Sequence, residues 1–265
     1  MAFFRHFLKY PLANTVGYNL LRKQVKVCHW LMGIGAGTDV NDSGESTVMR
    51  KLLRQKNTPL TVIDAGANRG QFLNLAFSRL GSQLKEIHSF EPAAATFSAL
   101  LECAPKNPAV ILNNLALGAE TGERELYYDA ECSGLASLTK RDLSFKNREF
   151  EKHETIRLTT LSDYCSEKKI EHIGWLKIDV EGHELDVLRG AKPLFVEGKI
   201  DVVTMEFGGC NIDTRTFLRD FHNFFKEFGM QLHRITPGGY MYPIKRYREA
   251  EEQFITMNLV AFRTK

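Results

Sequence analysis

Three short stretches gather residue types able to do chemistry. The first is Asp64-Ala65-Gly66-Ala67-Asn68-Arg69-Gly70, a carboxylate followed by two glycines four positions apart. Glycine turns the backbone without a Cβ clash and lets a ligand approach the main chain. The pattern D-x-G-x-N-x-G is not the G-x-G-x-x-G of dinucleotide sites. A pyrophosphate favours helix-terminal N–H groups, whereas a carboxylate such as Asp64 suits an ammonium group, as on a free amino-acid moiety. A turn without a ligand is the plainer alternative.

The second stretch is Phe90-Glu91-Pro92, with Glu91 placed 25 residues beyond Gly66. That is near the spacing at which an acid meets a ribose in doubly wound sheets, where a strand-end carboxylate accepts from both vicinal hydroxyls. Alone, Glu91 could be a surface residue. Together with the glycine loop it makes a nucleoside joined to an amino acid the economical ligand, and S-adenosylmethionine is such a molecule.

The third stretch is Leu176-Lys177-Ile178-Asp179-Val180-Glu181-Gly182-His183-Glu184. Its acids and histidine suit a general base that takes a proton from a hydroxyl, or oxygen ligands for Mg²⁺. Acids also favour the first turn of a helix for reasons of dipole alone. That accounts for Glu184 but not for an acid ending an apolar run, so Asp179 is read as functional and Glu181 stands between both readings.

These stretches need strand ends to hold them, and the patterning supplies them. Leu60 to Asp64, Ile87 to Phe90, Ala109 to Leu112, Trp175 to Asp179 and Asp201 to Phe207 are short apolar runs, as in strands covered on both faces. Helical spacing lies between them at Gly70 to Leu80, after Pro92, at Leu161 to Lys168, Glu184 to Phe195 and Thr214 to Phe228. Gln231 to Ile235 and Met257 to Phe262 supply two last strands, and the charged run Lys245 to Glu252 reads as a helical face. Glu123 to Tyr128 and Ile156 to Thr160 read as strands of a small β insert, the first in an antiparallel hairpin. The order predicts an α/β, doubly wound, mostly parallel seven-stranded Rossmann-like sheet with an antiparallel last strand. Residues 58–265 form that domain, and 1–57 form an N-terminal helical extension that includes a helix over Ser46 to Gln55.

The chain resembles the FkbM family of methyltransferases, of the class I S-adenosylmethionine-binding fold. The resemblance covers about residues 58–265 and rests on VIDAGANRGQF at 62–72, IHSFEP at 87–92, NNLALG at 113–118, SGLASL at 133–138, TLSDYC at 160–165 and LKIDVEGHELDVLRGA at 176–191. It implies cofactor contacts from Asp64, Gly66, Asn68, Gly70 and Glu91, with Asn114 to Ala116 near the adenine. It also implies that Asp179 and Glu181 flank the transfer site. His183 departs from the small residue usual there, and is either an added base or an exposed helix residue. The implied reaction is O-methylation of a hydroxyl on a sugar or a polyketide-like small molecule. The insert from Thr121 to Thr160 and the N-terminal segment, which the resemblance does not explain, are expected to wall the acceptor. An NAD(P)-dependent oxidoreductase and a non-catalytic nucleoside-binding protein are the rival readings. The missing third glycine counts against the first, and Asp179 with Glu181 against the second.

The 265 residues are 43% hydrophobic and 25% charged with a formal net charge of +3, which suits a globular domain and gives no basis for a nucleic-acid partner. The five cysteines are scattered without a CxxC pair, so neither a zinc site nor a disulfide framework is expected, and a reducing cytoplasm is the simplest setting. From Met1 to Thr38 there is no acid, while Arg5, Lys9, Arg22, Lys23 and Lys26 are basic and Phe3, Phe4, Phe7, Leu8, Trp30, Leu31 and Met32 are bulky and apolar. Arg5, Lys9 and Pro11 interrupt any signal-peptide core. A helical lid packed on the domain is the favoured reading, and contact with an anionic membrane surface the other.

Overall fold

The computed structural model describes residues 12–37, 44–55 and 59–264. Leu60–Ala65 (β1) is buried along its whole length, as a β-branched run between two helical layers must be. It pairs in parallel with Leu84–Phe90 (β2) on one side and Trp175–Ile178 (β7) on the other. Val110–Asn113 (β3) extends the sheet beyond β2, and Val202–Phe207 (β8) extends it beyond β7, both in parallel. The strand order therefore reverses between β1 and β7. That is the position at which open α/β sheets form a ligand crevice, beyond the carboxyl ends of the strands.

Met257–Arg263 (β11) lies antiparallel between β8 and Met230–Ile235 (β9), which gives the expected antiparallel last strand. The main sheet has eight strands because the short Met241–Pro243 (β10) adds itself to β9. A second sheet joins Ala116–Leu117 (β4), Lys152–Thr159 (β6) and Gly122–Tyr128 (β5). β5 and β6 are antiparallel as expected. They are not a hairpin, since residues 129–151 make a long excursion between them that runs over the site.

Successive side chains of each strand alternate between two apolar layers. Leu60 and Val62 join Val48, Phe72, Leu73 and Leu100 on one face, while Ile63 and Ala65 join Tyr164, Leu188, Phe195 and Phe221 on the other. Phe72 meets Trp175 edge to face with ring centres 4.9 Å apart. The helices that cover the first face are Glu45–Gln55, Gln71–Leu80 and Ala94–Cys103. Glu45–Gln55 buries Val48, Met49 and Leu52, so this part of the N-terminal extension belongs to the core.

Four further sequence expectations need correction. Glu184 to Phe195 is not one helix but two, Glu184–Gly190 and Lys192–Val196. The break precedes Pro193, which removes a backbone donor and restricts the residue before it. Lys245 to Glu252 is not a helix: only the 3₁₀ turn Glu249–Glu251 forms. The helix expected over Thr214 to Phe228 begins at Leu218 and ends at Glu227, after a separate short turn of helix at Cys210–Thr214. The helix Thr15–Leu31 (α1) buries only Gly17, so it does not pack on the domain as a lid. The expectations for Phe3, Phe4, Arg5, Phe7, Leu8, Lys9 and Pro11 lie outside the described residues.

Candidate active site

The glycine loop leaves β1 by a backbone conformation that suits glycine. Gly66 has φ +83° and Gly70 φ +85°, and a Cβ on Gly66 would collide with the Asp179 carbonyl oxygen. The loop is fastened to β2: the N–H groups of Gly66 and Ala67 donate to the Phe90 carbonyl at 3.0 and 2.9 Å. The Asn68 N–H donates to Glu91 Oε2 at 3.0 Å, and the Ala93 N–H to Glu91 Oε1 at 3.0 Å. Glu91 is thus held at the end of β2 with each oxygen in one hydrogen bond and a further lone pair on each still able to accept. Burial pushes its carboxyl up to about 7, against the opposing pull of those two N–H donors.

A cavity opens in front of this loop. Gly66, Asn68, Glu91, Ala116, Asp179, Glu181 and His183 all line it. Leu126, Leu138 and Ile156 from the insert form an apolar wall, with Ser133, Gly134 and Ser137 across the mouth. The insert is tied to the loop after β7, since Ser137 Oγ donates to the Glu181 carbonyl at 2.8 Å.

Three residues expected to contact a cofactor are not among those that line this cavity. Asp64 is fully buried, accepts from Ser89 Oγ at 3.1 Å, and faces the Lys177 ammonium at 3.4 Å. Gly70 starts the helix that follows the loop. The Asn114 amide donates to the carbonyls of Glu91 and Pro92 at 3.0 and 2.8 Å, which fixes the backbone that carries Glu91.

Beyond β7, the chain turns sharply at Glu181 (φ +52°). Glu184 reaches back from the next helix and accepts from the Gly182 N–H at 2.9 Å. It is a cap and loop support, as the dipole argument allowed. Glu181 receives Arg141 Nη1 at 2.6 Å while Arg141 Nε reaches Asp213 at 3.2 Å. Burial, reinforced by the neighbouring Asp179 charge, pushes Glu181 up to about 8 despite Arg141. His183 has both ring nitrogens engaged, Nε2 with Thr139 Oγ1 at 3.0 Å and Nδ1 with Asp186 at 2.9 Å. Asp179 is the open carboxylate: its side chain is 42% exposed, and Lys177 Nζ lies 3.5 Å away.

Lys177 organises this end of the sheet. Its Nζ donates to the Gly66 carbonyl at 2.9 Å and lies between Asp64 and Asp179. Burial alone would lower its pKa, but the two carboxylates outweigh burial and raise it, keeping the cation. Glu206, at the end of β8, is raised by burial and by the charges of Asp179, Glu181 and Glu184. Asp179 and Glu181 also border an open groove on the far side, shared with Glu45, Lys177, Glu206 and Asn258. The sequence singled out neither Arg141 nor Glu206, and quoted Lys177 only as a neighbour of Asp179. A lone lysine inside a buried strand was the available signal for Lys177, and an acid ending the apolar run of β8 for Glu206. Arg141 carried none. Among the described residues no group of three or more His, Cys, Asp and Glu side chains is arranged to hold a metal ion. The Mg²⁺ reading of this cluster therefore has no ligand set here.

The parallel sheet with its strand-order reversal defines a doubly wound, Rossmann-like fold. Residues 64–232 match the methyltransferase FkbM domain, and the chain belongs to that family, whose cofactor is S-adenosylmethionine. It is 31% identical over 144 residues to Methyltransferase 1 of Beauveria bassiana, covering 49% of this chain and 57% of that protein. It is 26% identical over 147 residues to the hexuronic acid methyltransferase AglP of Haloferax volcanii, covering 56% of each. The chain spans just over half the length of these curated relatives. A crystal structure of a methyltransferase FkbM from Methylobacillus flagellatus aligns with 77% of this chain and 44% of its own, at 14% identity and a TM-score of 0.49.

Proposed function

We propose that this chain transfers a methyl group from S-adenosylmethionine to a hydroxyl oxygen of a small acceptor, a sugar or polyketide-like alcohol. The observation that carries this reading is the position of Asp179, which borders the cavity on one side and the open groove on the other. The residues present fit the cofactor. Glu91 keeps lone pairs for two ribose hydroxyls, Gly66 and Asn68 line the cavity beside it, and Ala116, Leu126 and Ile156 offer an apolar seat for a purine.

When bound, S-adenosylmethionine supplies an already activated methyl, so the work left to the protein is alignment and proton removal. Asp179 accepts the proton of the acceptor hydroxyl, and Lys177 holds that carboxylate in place. Asp64 and Asn114 act through Lys177 and the Glu91 backbone, as positioning residues. His183 would first have to leave Thr139, so Asp179 is the better placed base. The Haloferax relative, a hexuronic acid methyltransferase, supports a sugar acceptor.

Native mass spectrometry of the purified chain tests the cofactor, with S-adenosylmethionine or its demethylated product expected to be retained. Retention of a nicotinamide dinucleotide instead would replace this reading. Release of the demethylated product in the presence of hydroxylated sugars, and its loss with the matching deoxy sugar, tests the acceptor oxygen.

A further inference from the structure

Helix α1 takes no part in the site, and its surface has an unusual distribution. At 3.6 residues per turn, Thr15, Asn19, Arg22, Lys23 and Lys26 fall on one side of it. Val16, Leu20, Leu21, Val25, Val27 and Leu31 spread over a broad opposite arc. That arc faces solvent: Val16 is 79%, Leu20 53%, Val27 59% and Leu31 60% exposed. Gln24 and the buried Gly17 interrupt the arc, but exposed apolar surface of this extent marks a place where something else binds.

The chemistry of the helix selects the occupant. No acid occurs from Met1 to Thr38, and Arg22, Lys23 and Lys26 are all exposed, so the polar side complements a negatively charged surface. The apolar arc spans about half of the helix circumference. A flat lipid surface covers such an arc, whereas one partner helix covers only a narrow seam. Tyr18 and Trp30, 66% and 50% exposed, are the aromatic types that prefer the boundary between headgroups and acyl chains. Among the described residues no helix is long and apolar enough to cross a membrane, which leaves an in-plane position.

The tether after the helix joins this surface to the reaction groove. Ile34 is buried in the core, the Gly35 N–H donates to the Thr256 carbonyl at 2.7 Å, and Asn258 Nδ2 donates to the Gly37 carbonyl at 3.0 Å. Gly37, Thr256 and Asn258 form part of the groove that Asp179 borders. We propose that α1 is an in-plane anchor that seats the chain on an anionic lipid surface, with the groove tethered close to it.

Sedimentation of the full chain with vesicles of phosphatidylcholine, with and without phosphatidylserine, tests the proposal. Binding should be about tenfold or more tighter to the phosphatidylserine vesicles and should weaken as salt is raised. Leu20→Glu with Val27→Glu, both at exposed positions, should abolish binding while circular dichroism and melting stay unchanged. Replacing Arg22, Lys23 and Lys26 by Gln should remove the preference for phosphatidylserine. Failure of the wild type to bind anionic vesicles at low salt would overturn the proposal, as would undiminished binding by the folded Leu20→Glu, Val27→Glu chain. A wild-type dimer that this double variant converts to monomer would make a second copy the occupant and overturn it too.

Discussion

The carbonyl oxygen of Asp179 occupies the space that a Cβ on Gly66 would need. The two backbones close the gap between β1 and β7, helped by the Asp179 N–H donating to the Ala65 carbonyl at 2.9 Å. Gly66→Ala must therefore push the strand ends apart and also strain a φ of +83°. A loss of about 2 kcal/mol or more of stability is expected, together with weaker cofactor binding. Urea unfolding and titration calorimetry check this, and an alanine variant equal to the wild type in both would show that the strand ends yield freely.

Glu91→Ala should weaken S-adenosylmethionine binding and leave the chain folded. Losing the charged acceptor for two hydroxyls costs about 2–4 kcal/mol, which calorimetry would read as a drop of one to three orders of magnitude. Unchanged affinity in the folded variant would remove Glu91 from the ribose.

Lys177→Met should be strongly destabilising, by about 3–5 kcal/mol, because it leaves the fully buried Asp64 without its cation. Adding Asp64→Asn removes the stranded charge, so the double variant should recover part of the loss. Denaturant unfolding of the four proteins measures the coupling, and strictly additive losses would show that the pair is not coupled.

Buried acids also make stability depend on pH. Glu181 titrates near 8 in the folded chain and near its ordinary 4.5 when unfolded, so the folded state holds the extra proton. Its contribution is complete below about 4.5 and is lost as pH rises through about 8. The difference in unfolding free energy between wild type and Glu181→Gln should shift across that window in the direction that favours Gln at high pH. A difference independent of pH would mean that Arg141 keeps Glu181 ionised throughout.

Much of the fold was legible because buried parallel strands leave a plain mark, as in Leu60–Ala65 and Trp175–Ile178. The helix Leu161–Lys168 was legible as well, since Thr160 caps it by accepting from the Asp163 N–H at 3.0 Å. The break at Ala191 was hidden because the apolar spacing runs on across it, although Pro193 at the start of the second helix was the available signal. Charges at helical spacing in Lys245 to Glu252 misled because Glu251 and Glu252 are held by tertiary partners, Arg234 and the N–H groups of Leu218 and Arg219, rather than by a helix of their own. Within the site, loops that follow their own strand directly were readable. Arg141 was not, because it reaches Glu181 across 40 residues of chain from the insert.

Asp179 is the residue on which the proposed proton transfer rests. It follows a strand that is buried throughout, yet its own side chain is the open carboxylate between the cavity and the groove. Asp179→Asn keeps the shape and removes the charge that would take a proton, while Lys177 retains Asp64 as a partner. Turnover should fall by about two to four orders of magnitude, the usual range for a positioned base, while S-adenosylmethionine affinity changes far less. His183→Ala separates the candidates, because its imidazole is already held by Thr139 and Asp186 and its loss should cost less than that of Asp179. Release of the demethylated product with an accepted sugar, with and without EDTA, gives the readout: indifference to EDTA fits a base, and metal dependence would make Asp179 a ligand. Near-normal turnover by a folded Asp179→Asn chain, with a large loss in His183→Ala, would move the proton transfer to His183.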